Sequence, residues 1–163
     1  MLLDEFNAMA VPDAAAAVRP CVGIESWVDA VVAGRPYGDL DAMLILADAH
    51  ARAWNGAEVE AALADHPRIG ERHAGSGASA AMSGREQGGV SRDADVQARL
   101  AAGNAAYEER FDRIFLVRAA GRDADEILAL LEERLGNDPE TELGVTAGQL
   151  REIAVLRLKG LFA

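Results

Sequence analysis

Leu40-Asp-Ala-Met-Leu-Ile-Leu-Ala-Asp-Ala-His-Ala-Arg-Ala-Trp54 is the stretch whose reading decides the fold class. Leu40, Met43, Leu44, Ala47, Ala51 and Trp54 recur at steps of three and four residues, the spacing of one helix face, until Gly56 interrupts them. The segments on either side follow the same rule. Upstream, Trp27, Val28, Val31 and Val32 form an apolar helical stripe closed by Gly34 and Pro36. Downstream, a helix over Glu58 to Ala64 must stop near His66, because Pro67 pushes its predecessor out of the α region. Only Phe115-Leu116-Val117 has the character of a briefly extended segment.

Further helices follow towards the carboxyl end. Asp93 can cap a helix whose inner face is Val96, Leu100, Tyr107 and Phe111, with Gly103 as a weak point in its middle. Asp123-Ala-Asp-Glu126 has the form of a capping box and opens a helix with Ile127, Leu130, Leu131 and Leu135 that Gly136 terminates. Thr146-Ala-Gly-Gln149 reads as a second box, opening a last helix through Leu161. Residues 73 to 84 are almost entirely Ala, Gly and Ser and are expected to form a loop near the site or a mobile lid.

Composition points the same way. Of 163 residues half are hydrophobic, but many of these are alanine and only 5% of the chain is aromatic, which favours closely packed helices over a sandwich. That length is enough to bury one core without disulfides or metals. The expectation is an all-α, single-domain bundle of about six to eight helices spanning residues 1–163, with no internal repeat and no linker.

The charge narrows the partners. With 16 Lys+Arg against 27 Asp+Glu the net charge is −11, so the average field repels nucleic acid and anionic membranes, and an anionic ligand would need a local cationic pocket. A lone cysteine, Cys21, excludes an internal disulfide and a Cys-x-x-Cys metal or redox site, and fits a reducing cytosol. No apolar run approaches the roughly 20 residues that cross a bilayer, and no signal peptide or peroxisomal ending is legible. The expectation is a soluble, cytoplasmic chain.

Two short segments carry most of the available chemistry: Asp65-His66-Pro67-Arg68-Ile69-Gly70-Glu71 and Ser83-Gly84-Arg85-Glu86-Gln87-Gly88. A histidine before a proline is held extended at a helix end, from where its ring can enter a cleft. The same position also suits a histidine that only bonds nearby backbone. Ser83-Gly-Arg-Glu86 matches a capping box for a short helix, which explains Ser83 and Glu86 but not Gln87 or the flanking glycines. In the functional reading, Glu86 partners His66 in acid/base work and Ser83 offers its backbone or hydroxyl to a ligand at a helix N-terminus.

The remaining histidines add little. His50 borders a helix face and His73 sits among small residues. His66 and His73 cannot share one helix across Pro67, Gly70 and Gly75, so they lack the close spacing of helical zinc ligands, and no metal is expected.

The arginines are more informative. On a helical wheel, positions 150, 153, 154, 157 and 161 share about a third of the circumference, with Glu152 and Lys159 opposite. Arg157 therefore sits in the middle of an apolar face, where an unpartnered guanidinium would cost several kcal/mol and must meet a carboxylate or a bound anion. Arg68 is expected to be exposed and paired with Glu71, a surface bridge worth under about 1 kcal/mol. Arg118 and Arg122, beside Ala119-Ala120-Gly121, stay open.

His66-Pro67-Arg68-Ile69-Gly70, Ser83-x-x-Glu86-Gln87, Asn104-x-x-Tyr107-x-x-x-Phe111, Phe115-Leu116-Val117 and Ile153-x-x-Leu156-Arg157-Leu158, taken in order, resemble the 2-oxo-4-hydroxy-4-carboxy-5-ureidoimidazoline (OHCU) decarboxylases of purine catabolism. The Cys21…Trp27…Arg35-Pro36-Tyr37 stretch is similar to that family's N-terminal region. The resemblance implies an all-α, cofactor-free enzyme, usually a homodimer, that converts this urate-derived intermediate to (S)-allantoin. It implies His66 and Glu86 as the catalytic pair and Arg157 as the arginine completing the site. It further implies substrate contacts at Pro67, Ser83 and Gln87 and along the backbone of Leu116, Val117, Arg118 and Ala119.

There are departures from the family pattern. Asp112-Arg113 stands where Gly-Phe is frequent, Arg118 where a small or apolar residue is common, and the segment 74 to 82 is unusually small in side chain. Two other readings compete on the residues alone: a metal-assisted hydrolase of a cyclic ureide using His50, His66 or His73 with Glu86, and a non-enzymatic acidic helical module docking a partner through the Arg157 face.

Overall fold

The computed structural model describes residues 1–69, 78–86 and 94–163. Among these residues there are nine α-helices and one short 3-10 turn, and no strand. The all-α expectation holds. The helices fall into two compact units, Met1–Ala62 with Arg151–Ala163, and Leu63–Leu150.

The first unit contains α1 (Leu3–Ala8), α2 (Val11–Val18), a 3-10 turn (Arg19–Cys21), α3 (Glu25–Ala33), α4 (Leu40–Ala51), nearly all of α5 (Gly56–Leu63) and the last part of α9 (Pro139–Leu161). The short α1 and α2 escape the periodicity reading because six and eight residues give too little pattern, although Pro12 in the first turn of α2 is a recognised start signal. Helix α3 buries Trp27, Val28, Val31 and Val32, the four residues its period singled out.

Helix α4 starts at Asp39, whose carboxylate accepts the Ala42 N–H at 2.8 Å. It ends three residues before Trp54, and the chain leaves it in tight turns, with Ala53 N–H donating to His50 O and Trp54 N–H to Ala51 O. Met43, Ala47 and Ala51 are fully buried, and the Trp27 indole N–H donates to the Ala47 carbonyl at 2.9 Å, joining α3 to α4. The Tyr37 hydroxyl donates to Val31 O at 2.6 Å.

The second unit holds α6 (Ala78–Glu86), α7 (Ala94–Phe111), α8 (Ala124–Leu135) and most of α9. Its core joins Ile69, Leu100, Tyr107, Phe111, Phe115, Val117, Ala119, Ile127, Leu128 and Leu131. Asp123 caps α8 by accepting the Glu126 N–H at 2.9 Å, and Gly136 ends it. The start of α7 at Asp93 lies outside the described residues. Phe115, Leu116 and Val117 are all buried but carry no regular structure.

Three expectations are corrected here, and the mid-helix Gly103 gains a packing reason. Residues 78–86 are helical, so the Ala/Gly/Ser run is not a loop from 78 onward, and 73–77 lie outside the described residues. Alanine is the best helix former, and its abundance outweighs the lack of anchoring side chains. Ser83 consequently lies inside α6 and does not cap it. The last helix begins at Pro139, not Thr146: Asp138 accepts the Thr141 N–H at 2.9 Å and the Thr141 hydroxyl at 2.8 Å, with proline in the first turn. Gly103 is a packing position, because a Cβ there would fall on the side chain of buried Leu131 of α8.

Asp112 follows α7 with φ +55°, the left-handed conformation that suits glycine, while its N–H donates to Glu108 O at 2.9 Å. This is where the family pattern often carries glycine. Asp112→Gly is therefore expected to stabilise the protein by about 1 kcal/mol, and a thermal melt showing no rise in Tm would contradict that assignment of strain.

Candidate active site

His66 closes the carboxyl end of α5, its N–H donating to Leu63 O at 3.0 Å. Pro67 then turns the chain out of the helix. His66 and Pro67 are half-buried, Arg68 is exposed, and Ile69 is driven into the core of the second unit. A four-residue segment thus runs from a helix end to a core anchor with the imidazole partly open to solvent. Arg68, whose expected partner Glu71 lies outside the described residues, has a long-range partner. Its guanidinium forks onto the Glu108 carboxylate of α7, Nε to Oε1 and Nη2 to Oε2, the latter at 3.1 Å. Asn104, one turn earlier on α7, donates from Nδ2 to the Ile69 carbonyl at 3.1 Å.

Helix α6 presents Ser83 and Glu86 three residues apart, on one face. Met82 and Ser83 are buried and Glu86 is half-buried, so this face looks inward and its last turn opens towards solvent. In mid-helix the Ser83 N–H lies within the hydrogen-bond ladder of α6. Gln87 and His73 lie outside the described residues. His50 is exposed on α4. Among the described residues no three or more His, Cys, Asp or Glu side chains converge as metal ligands.

The Leu116–Ala119 backbone is partly engaged within its own unit. Leu116 O accepts Arg134 Nη1 at 2.6 Å, Arg118 N–H donates to Gln149 Oε1 at 2.9 Å, and Ala119 O accepts the Arg122 N–H at 3.1 Å. The Arg118 side chain turns back locally, Nη1 donating to Ala120 O at 2.9 Å.

The Arg134 contact belongs to a buried network that the sequence reading missed. Arg134 donates from Nε to Glu142 Oε1 at 2.8 Å, and its Nη2 stands 2.6 Å from the same oxygen. The Tyr107 hydroxyl donates to Glu142 Oε1 at 2.5 Å, and Asn137 Nδ2 to Oε2 at 3.0 Å. The Arg134 guanidinium also lies over the Phe115 ring, 4.6 Å from its centroid. Burial alone would raise the Glu142 carboxyl, but the hydrogen bonds from Arg134, Tyr107 and Asn137 outweigh it and hold the pKa below the ordinary 4.5. Burial, with the bond to Glu142, raises the Tyr107 phenol. A signal for this network existed: Ile127, Leu131 and Arg134 share one face of α8, so Arg134 interrupts an apolar stripe as Arg157 does.

Arg157, in the first unit, is 6% exposed on the α9 face that also buries Ile153, Ala154 and Leu158. Its Nη1 reaches towards the carbonyls of Pro20 at 3.5 Å and Cys21 at 3.4 Å, so backbone oxygens take part in holding it, which the expectation of a carboxylate or anion did not include.

These features define an all-helical protein with a half-buried histidine and glutamate suited to acid/base chemistry and a buried arginine on its last helix. The family model for OHCU decarboxylase matches residues 7–159, and the chain belongs to that family. It is 37% identical over 99 residues to a 2-oxo-4-hydroxy-4-carboxy-5-ureidoimidazoline decarboxylase of Amia calva, covering 59% of this chain and 57% of that protein. It is 37% identical over 105 residues to the Mus musculus protein of the same name, covering 63% and 59%. The chain thus spans under two thirds of the length of these relatives. A solved OHCU decarboxylase, crystallised in the presence of (S)-allantoin, superposes with a TM-score of 0.72 at 25% identity, covering 88% of this chain and 95% of that one.

Proposed function

We propose that this protein decarboxylates OHCU to (S)-allantoin without a cofactor, as a carboxy-lyase of urate degradation. The observation that carries the reading is a family match over residues 7–159 that spans His66, Glu86 and Arg157. His66 and Glu86 stand half-buried, within reach of a ligand, rather than sealed in the core.

The substrate itself supplies the electron sink. When the bond to the carboxylate breaks and carbon dioxide leaves, its electron pair forms a C=C bond to the ureido-bearing carbon, the C=N π pair moves onto the ring nitrogen, and that nitrogen takes up a proton, giving an enol. Removing the hydroxyl proton and adding a proton to the ureido-bearing carbon then forms the carbonyl and the stereocentre of allantoin. The protein has to hold the carboxylate out of the ring plane, stabilise the developing charge and deliver that proton to one face.

His66 contacts the hydroxyl or the labile carboxylate and takes part in proton transfer, and Glu86 orients it and keeps it basic. Arg157 holds an anionic or amide edge of the ligand, a task suited to a planar guanidinium. Pro67, the Ser83 hydroxyl and Gln87 line the substrate. The ring and ureido contacts fall to the backbone of Leu116 to Ala119, through the groups that Arg134, Gln149 and Arg122 do not hold. The protein works as a cytoplasmic homodimer in this reading. Support comes from a lone, buried cysteine outside any disulfide and from the exposed Ile45 and Leu156 of the first unit. Among the described residues no helix is long and apolar enough to cross a membrane.

The test is to generate OHCU in situ from urate and follow its ultraviolet decay with and without the protein. Accelerated decay that persists after exhaustive chelation is the expected result. Decay at the spontaneous rate would point to the interaction-module reading, and acceleration abolished by chelation to a metal-assisted hydrolase.

A further inference from the structure

Asn104 is an anomaly on its own helix face. Leu100, Asn104, Tyr107 and Phe111 form the buried stripe of α7, and Asn104 is 3% exposed in it. Its Nδ2 donates to the Ile69 carbonyl, but its Oδ1 is buried with no hydrogen-bond partner among the described residues. Leaving a buried acceptor unmet costs about 1–3 kcal/mol, whereas an apolar side chain of similar size would pack there without that loss. Core stability therefore does not explain the asparagine.

Its one bond falls on the segment that carries His66. That segment has no regular structure, and Pro67 contributes no N–H to hold it. It is pinned upstream by His66 N–H on Leu63 O and downstream by Asn104 on Ile69 O. One turn along α7, Glu108 grips Arg68 through a two-pronged ion pair. Two successive residues are thus fastened to one helix at points four residues apart, which blocks rotation of the segment about either point.

We infer that Asn104, assisted by Glu108 through Arg68, is the positioning residue that sets the His66 imidazole for proton transfer. This rests on the catalytic role proposed for His66. The inner bond is desolvated and does most of the holding, while the outer pair is exposed and screened.

The experiment compares Asn104→Ala, Glu108→Ala and His66→Ala by steady-state kinetics on OHCU formed in situ, together with the His66 ring resonances by NMR. Asn104→Ala is expected to lower kcat 10- to 100-fold with KM within threefold of wild type and to displace the His66 ring signals. Glu108→Ala is expected to lower kcat two- to fivefold. Should Asn104→Ala fail to fold, Asn104→Ser, which is too short to reach Ile69 O directly, takes its place with the same expectation. A folded Asn104 variant with kcat within twofold of wild type, or with unmoved His66 signals, overturns the inference. Retained activity in His66→Ala instead overturns the underlying catalytic reading, whatever Asn104 does.

Discussion

His66→Ala is expected to lower kcat by about 10²–10⁴-fold, the range over which a positioned acid/base group contributes, with Glu86→Gln falling in the same range. Both side chains are half-buried, so their loss should leave the helical circular dichroism spectrum and Tm close to wild type. That combination separates chemistry from architecture. Were His66 only a helix-end residue bonding nearby backbone, its replacement would shift Tm while leaving turnover per folded molecule intact. Steady-state kinetics paired with a thermal melt on each variant makes the distinction.

The largest expected effect on stability belongs to Arg134. Arg134→Ala leaves Glu142 as a buried carboxylate without its cation, and losing one partner of such a pair typically costs 3–5 kcal/mol. For a chain of this size that corresponds to a fall in Tm of roughly 6–20 °C. Because Arg134 also holds the Leu116 carbonyl and packs over Phe115, the variant should lose turnover as well. Glu142→Gln should cost less, since the amide still accepts from Tyr107, and the double variant should lose less than the sum of the singles.

The same network predicts a pH dependence. The folded pKa of Glu142 lies below its ordinary 4.5, so its contribution is fully present above that value and is lost as the pH falls through the folded pKa. Acid melts of wild type should therefore steepen below about pH 4.5, and Glu142→Gln should flatten that limb. A variant melting like wild type across this range would mean that the carboxylate contributes nothing.

Much of the architecture was legible because local signals agreed with tertiary ones. Asp123 and Gly136 act where helix-end chemistry places them, and the periods of α3, α4 and α8 point at residues that are buried. Arg157 was legible for the same reason, since a charge inside an apolar stripe can be seen without a structure.

What escaped depends on distance along the chain or on one pattern serving two purposes. Thr146 and Gln149 match a capping box, yet in the middle of α9 they hold Tyr107 with Glu142 and the Arg118 amide, respectively. Ser83 and Glu86 match one too, inside a helix that alanine starts five residues earlier. Arg68 meets Glu108, 40 residues away, a contact that no local pattern announces. Gly103 read as a helix-weakening residue because nothing local shows Leu131 pressing on it. In each case the missing information was which face of one helix meets which face of another.

The most direct test of the central claim is the handedness of the product. Urate is converted in situ to OHCU, this protein is added, and the circular dichroism of the allantoin formed is followed over time. One growing signal of the (S) enantiomer, lost in His66→Ala, is the predicted result; racemic allantoin at the spontaneous rate in the presence of folded wild-type protein would contradict it.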